Sequence, residues 1–406
     1  MRRSTDYFLS SHGGNLPLPG SLLDLLSKPH ENEAAIAVEL PKAVDWVVDK
    51  QIECGVDILN DGEYVKAAHP GTYVGYMSDR ATGYETIARP AGLAEKRAGT
   101  GERDRRDFPG FYESGLWFSG SGGTQRPGFA KPGHNPFAGF DTSKIRACTG
   151  PLSYTGQAAI KKDIDALALA LKNRSGVDGF IAALGPLSFG ASVHNLHYKN
   201  ERDYMFAVAD VVREEYKAIT DAGFIVQVDE PEFATSWMFY PDWSVEEYRK
   251  YLDFCVEIIN HALRGLPQDQ VRFHMCWGSG HRPHVHDIEF GHIVDKLLQI
   301  DAQAYSFEAS NVRHAHEYRV FEDVKLPDGK ILVPGVVGHY TDLVEHPELV
   351  AERLVNFAKL VGMENVHAGT DCGIGSRVGH EEIVWAKLKA MSEGCRIAGK
   401  RMKGRG

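Results

Sequence analysis

No stretch of the 406-residue chain approaches the ~18 apolar residues needed to span a bilayer, and the Met1-Arg2-Arg3 start lacks the apolar core of a signal peptide. The expectation is a soluble, cytoplasmic protein with no membrane partner. Cysteine is scarce. The six present, at 54, 148, 255, 276, 372 and 395, are too few and too irregularly spaced for a disulfide framework in so long a chain, so reduced thiols are expected. Positive charge is in deficit, with 45 basic against 55 acidic residues and a net charge of -10. The one basic block is a short tail, Lys400-Arg401-Met402-Lys403-Gly404-Arg405, so no nucleic-acid partner is expected.

What is present is an alternation of helix and strand. Strand candidates lie at 7–10, 56–63, 145–150, 179–186, 224–228, 271–276, 304–308, 331–337 and 366–372. Helix candidates lie at 33–54, 158–172, 203–221, 244–263, 347–361 and 381–399, several closed by glycine, and Ser244-Val245-Glu246-Glu247 reads as a capping box. Polar residues recur at the carboxyl ends of the strands. That is the pattern of an α/β protein built as a (β/α)₈ barrel, whose active site lies at that face. Nine strand candidates compete for eight places, and 145–150 is the one expected outside the barrel. One domain over 1–406 is expected, because such barrels tolerate long insertions.

The segment 82–144 loses all periodicity and carries Gly120-Ser121-Gly122-Gly123 and Arg126-Pro127-Gly128-Phe129. Eight aromatic residues between 108 and 140 argue against simple disorder. An irregular arm that covers the active site, or reaches another subunit in a homo-oligomer, is expected here.

Chemistry concentrates at Phe273-His274-Met275-Cys276-Trp277-Gly278, a strand running into the Gly278-Ser279-Gly280 loop. Strand side chains alternate faces, so His274 and Cys276 point into one pocket and Met275 away from it. Alone, such a pair is more often a strand with a packed thiol than a metal site. Glu308 and Cys372 end two further strands, and in a closed barrel all four converge on the axis as a Cys₂HisGlu set that suits zinc. Taken singly, Glu308 reads equally as a paired buried acid and Cys372 as a packed thiol. Two His-x-His pairs, His284/His286 and His314/His316, are rival metal ligands, but their flanking residues place them on loops or first helical turns. His12 sits in a glycine turn at the end of the first strand and is either a substrate contact or part of the turn alone.

His274-Met275-Cys276, Ser306-Phe307-Glu308-Ala309-Ser310 and Asp371-Cys372-Gly373, with Val228-Asp229-Glu230-Pro231 and the strand end at Gly62-Glu63, occur in this order at family-like intervals. Together they resemble the catalytic domain of cobalamin-independent methionine synthase. The resemblance covers most of the chain and is to the zinc-bearing barrel only. It is nearer to the short, single-barrel relatives, a group that includes zinc-dependent epoxyalkane:coenzyme M transferase and shares the fold of uroporphyrinogen decarboxylase. It implies a zinc cofactor and transfer of an alkyl or methyl group from a small donor to a metal-bound thiol. His274, Cys276, Glu308 and Cys372 match the zinc ligands, and Glu63 and Asp229 match the residues that grip the amino group of homocysteine. The family's acid histidine follows a Gly-Val strand. Here Gly335-Val336-Val337-Gly338-His339-Tyr340 places His339 one residue early, so His339 is the candidate general acid, with a structural histidine as the alternative and Tyr340 beside it. No stretch matches the folate-binding region, which leaves the donor open.

Two carboxylates facing a metal-bound thiol attract an ammonium group, and the motifs supply no arginine or lysine for a sulfonate. An aminothiol such as homocysteine is therefore expected to bind in preference to coenzyme M. The alternatives are a zinc lyase or hydrolase, a thiol-epoxide or thioether transferase on the same barrel, and a non-catalytic thiol-binding protein with a structural zinc.

Overall fold

Parallel strands buried on both faces need two inward-facing sets of contacts, and this chain supplies them by alternation. The computed structural model describes residues 1–26, 28, 31–67, 73–93, 101–113, 143–191, 193–278, 282–375 and 377–404. Its strands are β1 (Ile58–Leu59), β2 (Ala81–Ala88), β3 (Lys144–Tyr154), β4 (Asp178–Leu184), β5 (His194–Asn195), β6 (Ile225–Asp229), β7 (Val271–His274), β8 (Ala304–Phe307), β9 (Ile331–Val337) and β10 (Gly369–Thr370). A parallel sheet runs β1-β4-β6-β7-β8-β9-β10. The segment around Ser10 closes it: Ser10 bridges Ala368 in parallel, and its carbonyl accepts from Asp57 N–H and Ile58 N–H at 3.1 and 3.0 Å. Counting that segment, eight strand positions surround the axis, as the sequence pattern requires.

The interior is layered. Ile58, Phe180 and Ile225 on one side and Ala304, Ile331 and Val333 on the other pack against Met1 at the amino end of the strands. Above this apolar floor sit Gln227 and Arg272, then Asp229, His274 and Ser306, all buried. The outward set does the conventional work of packing helices on the sheet. Phe273 meets Phe233 edge-on at 5.7 Å, and Phe307 meets Phe290 and Phe357 at 4.8 and 5.9 Å.

The helix Glu201–Asp221 buries Met205, Val208, Val212, Tyr216 and Ile219 along one face. The helix Val245–Leu263 opens on the expected box, in which Ser244 Oγ accepts from Glu247 N–H and Glu247 Oε2 accepts from Ser244 N–H. Gly55, Gly223 and Gly265 take left-handed φ of 78°, 85° and 73° just past the helices they end.

Residues 145–150 lie outside the barrel as expected, within β3, which belongs to a separate sheet of order β2-β3-β5. The reading of 82–144 as irregular from its start is corrected. Residues 81–88 form β2, antiparallel to β3, and Glu102–Asp107 and Pro109–Glu113 are helical. β2 is rich in Thr, Tyr and Ile but mostly uncovered, so it lacks the apolar alternation that announces a strand. The Gly120–Gly123 and Arg126–Phe129 stretches, Ser279, Gly280 and Arg405 lie outside the described residues. No helix among the described residues is long and apolar enough to cross a membrane.

Candidate metal centre

His274 ends β7 on the same face as Arg272, and Cys276 follows two residues later. Residue 274 stands in register with Ser306 on β8, and this pairing aims the imidazole: Nδ1 meets Ser306 Oγ at 2.9 Å. Nε2 is left buried without a hydrogen bond. It belongs to a cluster with the Cys276 and Cys372 sulfurs in which all three atoms lie within 4.8 Å of one another. Cys372 reaches the cluster from beyond β10, where Thr370 Oγ1 accepts from Gly13 N–H and donates to the Cys372 carbonyl, both at 2.8 Å. Gly13 must be glycine here, since a Cβ would stand 2.4 Å from the Cys372 carbonyl carbon.

The two thiols are unequal. A hydrogen bond from Cys276 pulls Cys372 well below the ordinary thiol range, while the same contact pushes Cys276 well up. The proton of the pair is thus favoured on Cys276 over Cys372. Burial works to lower the His274 pKa, but the Cys372 sulfur outweighs it and the net direction is up. A buried imidazole nitrogen without a hydrogen bond beside two cysteine sulfurs is a donor set that fits zinc.

Three of the four expected ligands therefore meet, and Glu308 lies near Cys276 but outside their 4.8 Å group. Its Oε1 accepts from Trp277 N–H at 2.7 Å and its Oε2 from Asn311 Nδ2 at 3.0 Å. It groups instead with His339 and Asp371, within 4.8 Å. Burial, then the Asp371 charge, raise the Glu308 carboxyl to about 8. Asp371 is committed to the fold: Oδ1 accepts from Ala309 and Ser310 N–H, each at 2.9 Å, and Oδ2 accepts from Ser310 Oγ at 2.5 Å. The Ser306–Ser310 and Asp371–Gly373 motifs are thus bonded to each other, and the first also to β7.

His339 lies two residues beyond β9, buried, with its ring 4.0 Å from that of Tyr340. Burial drives its pKa down to about 3, so it is a neutral imidazole at pH 7. Tyr340 donates from its hydroxyl to the Gly278 carbonyl at 2.8 Å.

Glu63 follows β1, and Asp229 ends β6 next to the His-Cys-Cys cluster, in register with His274. Glu63 has φ 58°, unusual for a residue with a side chain, and its N–H donates to Asp61 Oδ1 at 3.0 Å. Its Oε1 is buried and unbonded, and a Cβ at Gly14 would lie 1.7 Å from it. Burial, then Asp229 and Asp61, raise the Glu63 carboxyl well above its usual value. Asp229 Oδ1 accepts from Gln227 Nε2 at 2.8 Å. The adjacent Glu230 faces outward and accepts from Leu187 and Ser188 N–H, so the Asp-Glu-Pro motif holds one site acid and one structural acid.

His12 is placed differently from a ligand contact. Nε2 meets Gln51 Oε1 of the helix Glu33–Glu53 at 2.8 Å and Nδ1 accepts from Gly14 N–H at 3.2 Å, so both ring nitrogens are engaged. Burial lowers its pKa to about 4. The His-x-His pairs are likewise engaged: His284 with Asp287, His286 with Asp107, and His314 with both Glu317 and Asp287. Helical residues 102–107 dock beside them on this chain's own loops, with Arg103 stacked 3.5 Å over Trp237 and Asp104 ion-paired to Arg282 at 3.2 Å.

Two arginines were not singled out from the sequence. Arg272 is fully buried beneath the acids, stacked 4.0 Å over Phe180 and donating to Ser11 Oγ at 2.7 Å. Burial lowers it to about 9 against the pull of Asp229 and Glu63. Its position two residues before His274 was the available signal. Arg377 follows Cys372 by five residues and acts electrostatically on Cys372, Cys276 and Glu308. The motifs themselves supply no arginine or lysine, and Arg377 lies outside them on the loop after Cys372.

The model of the cobalamin-independent synthase catalytic domain matches residues 148–396. A methionine synthase of Saccharolobus islandicus is 26% identical over 230 residues, covering 56% of this chain and 60% of that protein. The 2-hydroxypropyl-CoM lyase of Xanthobacter autotrophicus is 26% identical over 258 residues, covering 57% of this chain and 64% of the lyase. The chain thus spans less than two thirds of either relative. In fold, it superposes on a B12-independent methionine synthase from Shewanella with a TM-score of 0.66 at 18% identity, covering 98% of this chain and 99% of that one.

Proposed function

Because the chain belongs to the cobalamin-independent methionine synthase family, whose catalytic-domain model spans residues 148–396, we propose that it is a zinc-dependent transferase that moves a methyl or other alkyl group onto a thiol. The observation that carries this reading is the His274, Cys276 and Cys372 cluster with its unbonded Nε2. These three residues would hold zinc, with Glu308 adjacent as a fourth oxygen donor. Zinc in such a site lowers the pKa of a bound thiol and fixes its sulfur in place.

The chain's own residues do the rest. Glu63 and Asp229 form an acidic wall that attracts the ammonium group of homocysteine or a related aminothiol. Arg272 beneath them keeps this wall from carrying two unbalanced buried charges. The sulfur's electron pair forms the new S–C bond as the donor's bond to that carbon breaks, and the departing atom takes a proton. His339, a neutral imidazole at pH 7, would orient that atom with an N–H hydrogen bond while solvent supplies the proton. His12 positions the Gly13-Gly14 turn against Cys372 and Glu63 rather than touching substrate.

The test is metal content followed by zinc-edge X-ray absorption with added homocysteine. One zinc per chain and an added sulfur scatterer are expected. A metal-free but folded native protein, or zinc whose coordination ignores every thiol, would overturn the proposal.

A further inference from the structure

Cys372 begins a loop that is pressed hard against the 13–16 turn. A Cβ at Gly373 would stand 2.8 Å from Asn15 Cβ, and one at Gly375 would stand 2.3 Å from the Leu16 carbonyl carbon. Two glycines thus allow backbone to lie on backbone, and the loop has little freedom in where it delivers the next long side chain. That side chain is Arg377, half-buried, whose Nη1 donates to the Gly373 carbonyl at 3.4 Å.

Its partners set it apart from Arg80 and Arg282. Arg80 is ion-paired with Asp163 and Glu215, and Arg282 with Asp104 and Asp287. Among the described residues no carboxylate pairs with Arg377. The groups that act on it electrostatically are Cys372, Tyr340, Cys276 and Glu308, at or beside the metal centre. A guanidinium has five N–H donors arranged to grip a planar anion, and among the described residues Arg377 makes one hydrogen bond, from Nη1 to the Gly373 carbonyl. Beyond β1 and at the end of β6, Glu63 and Asp229 present the opposite sign. The site is therefore polarised, with acids beyond β1 and β6 and a cation beyond β10.

We propose that Arg377 is a specificity-determining residue that recognises an anionic group, carboxylate or sulfonate, carried by the acceptor thiol. A thiol bearing both an ammonium and a carboxylate satisfies both sides, and a sulfonate thiol satisfies one. This assignment rests on the thiol-transfer reading above and goes beyond it by naming what the second side of the site selects.

The experiment is calorimetric titration of the zinc-loaded native protein, Arg377→Met and Arg377→Lys with homocysteine and with homocysteamine, which is homocysteine without its carboxylate. Native protein should bind homocysteine roughly 10- to 100-fold more tightly, the range of a hydrogen bond to a charged group. In Arg377→Met the gap should collapse because homocysteine weakens while homocysteamine does not, and Arg377→Lys should restore part of it. Equal weakening of both thiols, or loss of zinc, would make Arg377 a counter-charge for the ligand sulfurs and overturn the assignment. An unchanged gap, with only the donor's KM raised, would assign Arg377 to the donor and overturn it also. If neither thiol binds the native protein, the transfer reading itself falls, and the assignment falls with it.

Discussion

Ser306→Ala removes one oxygen from the interior and should loosen the metal without breaking the fold. Ser306 is 2% exposed, stands in register with His274, and holds its Nδ1 at 2.9 Å. Two estimates bound the effect. Loss of one hydrogen bond that leaves a buried group unpaired costs about 1–3 kcal/mol. Removing the group that orients a metal-binding histidine typically lowers affinity about 10- to 100-fold, or about 1.4–2.7 kcal/mol. The ranges overlap, so the zinc dissociation constant should rise about 10- to 100-fold. Competition with a chromophoric chelator measures it, and urea unfolding of the metal-free protein separates the metal effect from general destabilisation. Unchanged zinc affinity in a folded Ser306→Ala protein would refute the claim that this hydroxyl aims the imidazole.

Glu215 tests the buried ion network behind the barrel. Burial pushes its carboxyl up, but Arg80 and Lys66 prevail and hold it at about 2, below the ordinary 4.5. Its stabilising contribution is therefore complete above about pH 4.5 and is lost as pH falls through about 2, and an acid titration of unfolding free energy should show that slope vanish in Glu215→Gln. At neutral pH that variant should be about 3–5 kcal/mol less stable by urea unfolding, and a change under 1 kcal/mol would contradict the network's weight. Gly335→Ala would place a Cβ 2.1 Å from Asp371 Oδ1, and overpacking there should cost about 1–3 kcal/mol and weaken zinc by dislodging the Glu308 loop. Native zinc affinity in that variant would show the Asp371 clamp to be dispensable. His339→Ala should retain zinc and thiol binding while kcat falls about 10²-fold, and unaltered turnover would make the histidine structural.

The barrel was legible because each strand's polar tip and closing glycine are local signals. The pairing of β2 with β3 was not, since the strands meet across more than 50 residues and bury little. Strand parity alone brought His274 and Cys276 together. The same parity pointed at Arg272, but a charged residue in a short strand reads as a surface position until the barrel closes around it. Glu308 was placed at its strand end correctly, whereas its orientation depends on the backbone N–H of Trp277, from a neighbouring strand's loop, which no pattern in its own segment reveals. His12 looked available for substrate because the partner that occupies it, Gln51, lies on a helix 39 residues away.

The closure of the ring at Ser10 also bears on how the chain is made. Ser10 pairs with Asp57 and Ile58 on one side and Ala368 on the other, so its second neighbour is synthesised 358 residues after it. At ribosomal rates of about 5–20 residues per second, one edge of the first strand waits unpaired for roughly 20–70 s. That edge would be open to wrong partners throughout. The His-Cys-Cys cluster is completed only by Cys372, four residues after the closing partner, so metal capture by a nascent chain would report that the barrel had shut. Ribosome-arrested chains stopped well before and well after residue 372 should differ sharply in zinc retention, and equal retention would show that the first two ligands suffice.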